Sequence, residues 1–253
     1  MRRLANLVVG STFVVACGGK AAPLAPAEPA HRATRVPIED NEPDDGVDVV
    51  STHGHMDPAV VDAGLEPHKQ DLSDCYTTRV GQRRWLGGHV ALHWEINKAG
   101  EVTAVKISES DLGAWSVEKC LLEIARVATF DKPIGGDADF MVPLDFALQK
   151  SARSQAATWD EDQGLKAVGG QLAALDECAK AKGVKGGSPA DVTVTLYVGP
   201  QGKAQSVGFS SPRSVLDDAW AECAENVALS WRLPDPKGTV AKLAVRYRKQ
   251  DAR

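Results

Sequence analysis

The sequence predicts an α+β fold built from two tandem copies of one small unit, each with the order helix–strand–strand–helix–strand. Two observations lead to this prediction. Four cysteines fall into two pairs with the same 45-residue separation, Cys75 with Cys120 and Cys178 with Cys223. Each pair encloses two alternating apolar stretches joined by a glycine-containing turn. Equal spacing together with equal order indicates an internal duplication.

A β-hairpin is predicted in the middle of each copy. Residues 89–96 and 192–198 place apolar side chains at every second position, which is the pattern of a half-buried strand. Each stretch ends in a short turn, which contains Gly100 in the first copy and Gly202 in the second. Glycine adopts a positive φ at little cost, so the alternating stretch after each turn is predicted to be the second strand of a hairpin.

A helix and a last strand complete each copy. Apolar residues at three- and four-residue steps predict one buried helix face per copy: Val117, Cys120, Ile124 and Val127, then Trp220, Cys223, Val227 and Trp231. Ser214, with Asp217 three residues later, predicts the start of the second of these helices. Prolines follow both helices, and alternation across 140–146 and 243–247 predicts the last strands.

A further helix is predicted ahead of the first cysteine of each copy. Asp57 and Pro58 begin the first one, which runs towards Cys75 and is interrupted at Pro67. In the second copy, apolar residues at helical spacing lead to Cys178: Leu165, Val168, Leu172 and Leu175.

The N-terminal residues predict export and lipid attachment. Residues 1–16 combine a basic start with a short apolar stretch, the pattern of a secretory signal peptide. Residues 14–17 read Val-Val-Ala-Cys and resemble the lipobox of bacterial lipoproteins. The resemblance implies a lipid on Cys17, and Gly18 after it favours an outer-membrane location facing the periplasm. The alternative is an ordinary signal peptide with an accidental cysteine.

These sequence patterns predict that the chain is divided into five parts. We expect the signal peptide at 1–16 and a mobile Pro- and Ala-rich tether, headed by the lipidated cysteine, at 17–46. The two copies are expected at 47–148 and 159–250, joined by a polar linker at 149–158 that gives them some freedom of relative movement. No stretch after the signal is apolar enough to span a membrane, so the lipid would be the anchor.

The remaining four cysteines predict disulfide bonds. An exported protein folds in an oxidising compartment, and an even number of cysteines remains once Cys17 is lipidated. Four cysteines allow three pairings, and the duplicated spacing favours the two pairs that lie within the copies. No Cys-x-x-Cys spacing is present, so redox and zinc-ribbon functions have little support.

The first copy resembles a known family, the AgmX/PglI C-terminal domain, which is related to the TonB C-terminal domain. The resemblance rests on residues 74–76 (Asp-Cys-Tyr), the strand–glycine turn–strand, residues 117–120 (Val-Glu-Lys-Cys) and residues 130–133 (Phe-Asp-Lys-Pro). The second copy matches more weakly, with Ala179 in place of the tyrosine. The family is associated with gliding motility and envelope proteins, so it implies a cell-envelope interaction or scaffolding module in motility or envelope transport.

The resemblance further implies contact with envelope protein partners and no chemistry. TonB-like domains bind partner peptides by adding a strand to a sheet edge, where unpaired main-chain groups accept hydrogen bonds. The candidate edges are the last strands of the two copies, with Phe140, Val142 and Leu144 in the first and Leu243, Val245 and Tyr247 in the second. The alternative is that these edges are solvated or are used between the two copies.

Composition and motifs argue against other function classes. The formal net charge of -5 is unsuited to general nucleic-acid binding. No catalytic or cofactor-binding motif is readable, so we expect no enzyme and no cofactor. The alternative function is metal or ligand binding by the His-rich first copy, where His53 and His55 form the weak candidate metal site. His89 and His93 share a strand face but lie roughly 13 Å apart along it, too far to hold one ion.

Overall fold

A computed structural model describes residues 54–146, 157–158 and 161–249. All of them belong to one compact unit. The prediction of a mixed α+β fold is confirmed: each copy contributes a three-stranded antiparallel sheet and one disulfide bond. No helix in the described part of the chain is both long and apolar enough to cross a bilayer.

The first copy follows the predicted order of elements. Its helices and strands are α1 (Pro58–Leu65), a short 3₁₀ helix (Glu66–His68), α2 (Lys69–Val80), β1 (Gly88–Ile96), β2 (Val102–Ser110), α3 (Trp115–Val127) and β3 (Ala138–Phe146). The sheet order is β2-β1-β3, and β1 pairs with β3 over nine residues from Gly88↔Phe146 to Ile96↔Ala138. β3 is therefore an edge strand of this sheet among the described residues.

The second copy repeats this arrangement with two changes. Its elements are β4 (Ala157–Thr158), α4 (Glu161–Val168), a 3₁₀ helix (Gly169–Lys180), β5 (Asp191–Val198), a 3₁₀ turn (Pro200–Gly202), β6 (Ala204–Ser210), α5 (Asp218–Leu229) and β7 (Ala241–Arg248). The segment that carries Cys178 is a 3₁₀ helix where the first copy has α2. The sheet order is β4-β7-β5-β6, so the short β4 lies beside β7.

Aspartate side chains cap the starts of two helices, α1 and α5. Asp57 accepts a hydrogen bond from the Ala59 backbone N–H at 2.8 Å, and Pro67 ends α1 as predicted. The predicted cap at Ser214 is wrong, because Asp217 caps α5 through the N–H groups of Ala219 and Trp220, at 2.9 and 3.2 Å. The short Asp217 side chain can reach the backbone N–H groups two and three residues further along the chain, so the helix begins directly after Asp217.

The buried faces of the helices and strands are largely those that periodicity predicts, with one exception. Trp94 on β1 and Trp220 on α5 are fully buried, and each packs against an aromatic ring of its own copy. Val127, predicted to be buried, is 66% exposed because it is the last residue of α3 and the chain turns away there. The position next to the predicted face, Glu118, is instead completely buried.

The prediction that the two copies have some freedom of relative movement is wrong. The buried residues of both copies form one continuous hydrophobic cluster. β5 shows the reason: Val194 and Leu196 pack on one face of the second sheet, and Thr195 and Tyr197 on its other face are also buried, at 1% exposure each. A strand buried on both faces needs a layer on each side, and residues of the first copy supply the second layer.

Candidate functional site

The edge of β3 is the first candidate site. β3 pairs with β1 along its whole length, and within residues 54–146, 157–158 and 161–249 no strand pairs with its other side. In a nine-residue antiparallel strand every second residue directs both its N–H and its C=O outward, apart from proline, which has no N–H. Such an edge can accept another strand through main-chain hydrogen bonds.

The direction of the main-chain groups along β3 follows from its neighbours. On β1, the carbonyl of His89 accepts the N–H of Asp111, and the carbonyl of Ala91 accepts the Ser108 hydroxyl, so both carbonyls point towards β2. The main-chain groups of successive residues point to alternate sides of a strand. Ala91 directs its groups towards β2, so the carbonyl of Pro143, the residue opposite Ala91, points away from β1. Proline has no N–H to donate, which suits an outward position on an edge strand.

The start of this edge is already occupied. The backbone N–H of Gly54 donates to the carbonyl of Asp137 at 2.6 Å, and His55 forms an antiparallel bridge with Ile134. The outward main-chain groups of β3 begin one step later, at Asp139. The accessible edge therefore runs from Asp139 to Asp145.

The two faces of β3 differ in chemistry. The even-numbered positions point towards the helices and are half-buried: Phe140, Val142, Leu144 and Phe146. The odd-numbered positions are exposed on the outer face of the sheet: Asp139, Met141, Pro143 and Asp145. Two histidines of β1 lie beside the acids, with His89 Nδ1 3.0 Å from Asp145 Oδ1 and His93 Nε2 3.3 Å from Asp139 Oδ2.

The corresponding strand of the second copy is covered. Leu243, Val245 and Tyr247 are buried, at 1%, 3% and 3% exposure. β4 pairs with the first two residues of β7 in parallel, and α4 packs against the same strand. The two candidate edges are thus unequal: β3 is accessible along most of its length, and β7 is partly occupied by its own copy.

The junction between the copies is the second notable feature. Residues 110–118 lie across the β5–β6 hairpin, where the Ser206 hydroxyl donates to the carbonyl of Gly113 at 2.7 Å. Gly113 has φ +67°, and a Cβ there would lie 3.0 Å from Thr195 Cγ2. A positive φ combined with this close approach favours glycine at this position.

Glu118 is the central group of this junction. Its carboxylate accepts hydrogen bonds from the Ser110 hydroxyl at 2.7 Å and from the Phe209 backbone N–H, in the other copy, at 2.8 Å. The backbone N–H groups of Gly113 and Ala114 also contribute. Burial raises the pKa of Glu118 to about 7, against the opposing effect of these hydrogen bonds.

Ion pairs surround the junction. Arg126 on α3 donates two hydrogen bonds to the Asp218 carboxylate on α5, at 2.8 and 2.9 Å, in a bidentate ion pair. This pairing holds the pKa of the Asp218 carboxyl below its ordinary value. Lys242 on β7 contacts Asp111 at 2.7 Å. The Tyr197 hydroxyl donates to the carbonyl of Gly87 at 2.9 Å. Polar contacts thus connect the copies at several points around the buried carboxylate.

The other predicted residues have the following positions. Cys17 and His53 lie outside the described residues. The predicted disulfides Cys75–Cys120 and Cys178–Cys223 are both present. The backbone of His55 pairs with that of Ile134, and no group of three or more His, Cys, Asp or Glu side chains in the described ranges could hold a metal ion.

Sequence reasoning missed the role of Glu118. Glu118 is one of residues 117–120, on which the family resemblance rests in part, and no contact was predicted for its side chain. One signal was available: on α3 it directly follows the buried Val117 and is three residues before the buried Leu121. An acid on the apolar side of a helix requires hydrogen-bond donors from elsewhere in the fold.

Comparison of the chain with protein-family models, with curated proteins and with solved structures gives no match.

Proposed function

We propose that this protein is a lipid-anchored envelope protein without catalytic activity that binds a protein partner along the edge of β3. The observation that carries the proposal is the edge itself, a nine-residue antiparallel strand with β1 on one side only among the described residues. The sequence resemblance to AgmX/PglI and TonB-like domains supports the same mode of binding. The partner is an envelope protein, and its membership in a motility, transport or secretion assembly is part of the proposal.

The physical basis is strand addition. An incoming strand would form main-chain hydrogen bonds with the outward groups between Asp139 and Asp145. It would also cover the half-exposed side chains of Phe140, Val142 and Leu144. Main-chain bonds supply affinity without regard to sequence, and side chains on the two faces supply specificity.

Attachment to the membrane is the second part of the proposal. The lipid on Cys17 and the tether to residue 46 would hold the folded unit at the outer membrane, facing the periplasm. Labelling of cells with a fatty-acid analogue should mark the protein, and Cys17→Ser should lose both the label and membrane fractionation. A labelled Cys17→Ser variant would contradict lipidation at this residue.

The binding edge can be located by site-specific photo-crosslinking in cells. We expect a crosslinker in place of Met141, exposed on β3, to yield a discrete protein adduct. A crosslinker in place of Ala244, exposed on the corresponding β7, serves as the matched control and should yield little. Equal adducts from both strands, or none from β3, would contradict the proposal.

A proline substitution tests the main-chain hydrogen bonds directly. Met141→Pro removes an outward N–H and leaves the ladder with β1 intact, because Met141 has the same direction as Pro143. We expect Met141→Pro to lose the partner adduct of a crosslinker placed at Pro143, exposed on the same face of β3, and Met141→Leu to keep that adduct. Circular dichroism should show that both variants are folded.

A further inference from the structure

We propose that the strand accepted by β3 is a seven-residue segment with a basic residue at each end and apolar residues at its second, fourth and sixth positions. This inference rests on the proposed function and specifies the partner chemistry. It follows from the positions of acids and apolar side chains along the accessible edge.

The acids of β3 set the two ends. Asp139 and Asp145 lie six residues apart on the same exposed face of the strand. Residues directly opposite each other on neighbouring strands have close Cβ atoms, so the partner residues facing the two acids are also six apart. Opposite charges at such cross-strand positions attract, and like charges repel.

The surroundings of Asp139 are also negative. Asp137 and Glu95 line the same open cleft as Asp139 and His93 at the start of the edge. Lys106 offsets part of this charge through its contact with Glu95 at 3.2 Å. The histidine contacts of Asp139 and Asp145 each use one carboxylate oxygen. Lysine or arginine is therefore the complementary side chain at both ends.

The even-numbered positions set the apolar residues. Phe140, Val142 and Leu144 are half-buried and face the helix side of the sheet. A partner residue beside each of them would cover apolar surface that is still exposed to water. The ring of Tyr76 stacks on Phe146 with centroids 4.9 Å apart and closes this face just beyond Leu144. The apolar run of the partner is therefore limited to three positions.

Pro143 adds one constraint. It offers an outward carbonyl and no N–H, so the partner residue opposite it can donate a hydrogen bond but receives none. In an antiparallel partner the first residue faces Asp145, so Pro143 faces the third residue of the segment, between the two charges. A polar residue there, such as threonine, faces the exposed side of the sheet.

Synthetic peptides test this inference with the full chain. The probe contains Lys-Val-Thr-Val-Thr-Val-Lys with flanking glycines. Its matched control has glutamate in place of both lysines, and a second control has the same composition with the lysines moved to the apolar face. Labelled peptides are titrated with protein, and fluorescence anisotropy reports binding. We expect the lysine-ended probe to bind roughly tenfold more tightly than the glutamate-ended one, because two attractive pairs replace two repulsive ones.

Charge reversal identifies the residues responsible. The double variant Asp139→Lys with Asp145→Lys should invert the preference, so that the glutamate-ended peptide binds better. The control Asp162→Lys with Glu177→Lys makes the same net charge change at exposed positions of the second copy and should keep the original preference. At about 1 M salt the two peptides should bind alike, since the charge contribution is screened.

The outcomes separate the inference from the proposed function. Equal affinity of both peptides, weakened for both by Met141→Pro, would overturn the charge requirement and leave strand binding at β3 in place. No binding of any peptide together with a Met141 adduct in cells would overturn the partner chemistry alone. Loss of both the adduct and the peptide binding would overturn the proposed function and the inference with it.

Discussion

Glu118 is a carboxylate surrounded by hydrogen-bond donors from both copies. The Ser110 hydroxyl and two neighbouring backbone N–H groups come from the first copy, and the Phe209 N–H comes from the second. Removing a carboxylate from water favours its protonated form, whereas the donors favour the charged form. Burial has the larger effect, and the pKa rises to about 7.

The raised pKa predicts that stability falls as the pH rises. Between the ordinary value of 4.5 and about 7, the folded protein holds a proton on Glu118 that the unfolded chain has released. The free energy of unfolding should therefore decrease across this window, by up to about 3 kcal/mol from this group. Urea unfolding at several pH values between 4.5 and 7.5 measures the decrease.

Glu118→Gln should remove this contribution, because glutamine does not titrate. Glu123→Gln, an exposed position on the same helix, is the matched control and should retain the wild-type pH dependence. If wild type and Glu118→Gln lost stability in parallel across the window, Glu118 would not be the titrating group.

Gly208 is the residue that lets β6 approach this carboxylate. A Cβ at this position would lie 2.5 Å from Oε2 of Glu118 and 2.6 Å from the Ala114 nitrogen. We expect Gly208→Ala to lower the free energy of unfolding by about 1–3 kcal/mol through overpacking. Gly186→Ala, where a Cβ would meet nothing within 4 Å, should leave stability unchanged or slightly increased. A stable Gly208→Ala variant would show that the junction can shift at little cost.

At the scale of elements, each disulfide joins the two helical segments of one copy. Cys75 on α2 bonds to Cys120 on α3, and Cys178 on the 3₁₀ helix bonds to Cys223 on α5. Each copy consists of one sheet of three or four strands and short helices, so the apolar area buried within a single copy is limited. The crosslinks compensate by restricting the unfolded chain.

Loss of one crosslink should be costly in either copy. For a 45-residue separation, the chain-entropy relation gives about 4 kcal/mol of stabilisation per disulfide. We expect Cys75→Ser with Cys120→Ser to lower the free energy of unfolding by about this amount in denaturant titrations. Cys178→Ser with Cys223→Ser is the matched comparison, since the disulfide that it removes closes a loop of the same length. A change below about 1 kcal/mol in both would contradict the entropic account.

At the scale of the whole molecule, the two copies form one cooperative body. The cluster of buried residues is continuous across them, and β5 is buried on both faces, one of which is covered by the first copy. The ion pair of Arg126 with Asp218 and the contact of Lys242 with Asp111 add to this junction. Of the two last strands, β3 is therefore the one that keeps an accessible edge among residues 54–146, 157–158 and 161–249.

We expect a single unfolding transition for both copies. Far-UV circular dichroism and tryptophan fluorescence should follow the same denaturant curve, because the hydrophobic cluster cannot open in one copy without exposing the other. Trp94 reports on the first copy and Trp220 on the second, so single-tryptophan variants can follow each separately. Two separate midpoints would contradict a shared core.

Local chemistry was sufficient to predict much of this architecture. The period-2 and period-3.6 patterns located both hairpins and the buried helix faces, because burial of an element on one side imposes its own repeat on the sequence. The break at Pro67 and the two cysteine pairs were predicted for similarly local or spacing-based reasons. The misplaced cap at Ser214 shows the limit, since serine and aspartate cap helices about equally well and the local sequence does not choose between Ser214 and Asp217.

Most of the elements, their duplication and the two disulfides could be predicted from the sequence. The packing of the copies, the burial of Glu118 and the accessible edge of β3 depend on contacts between distant parts of the chain. A sequence pattern records that a residue such as Thr195 or Leu243 lies on one face of its strand. It does not record which distant surface covers that face, because the covering residues come from another part of the chain.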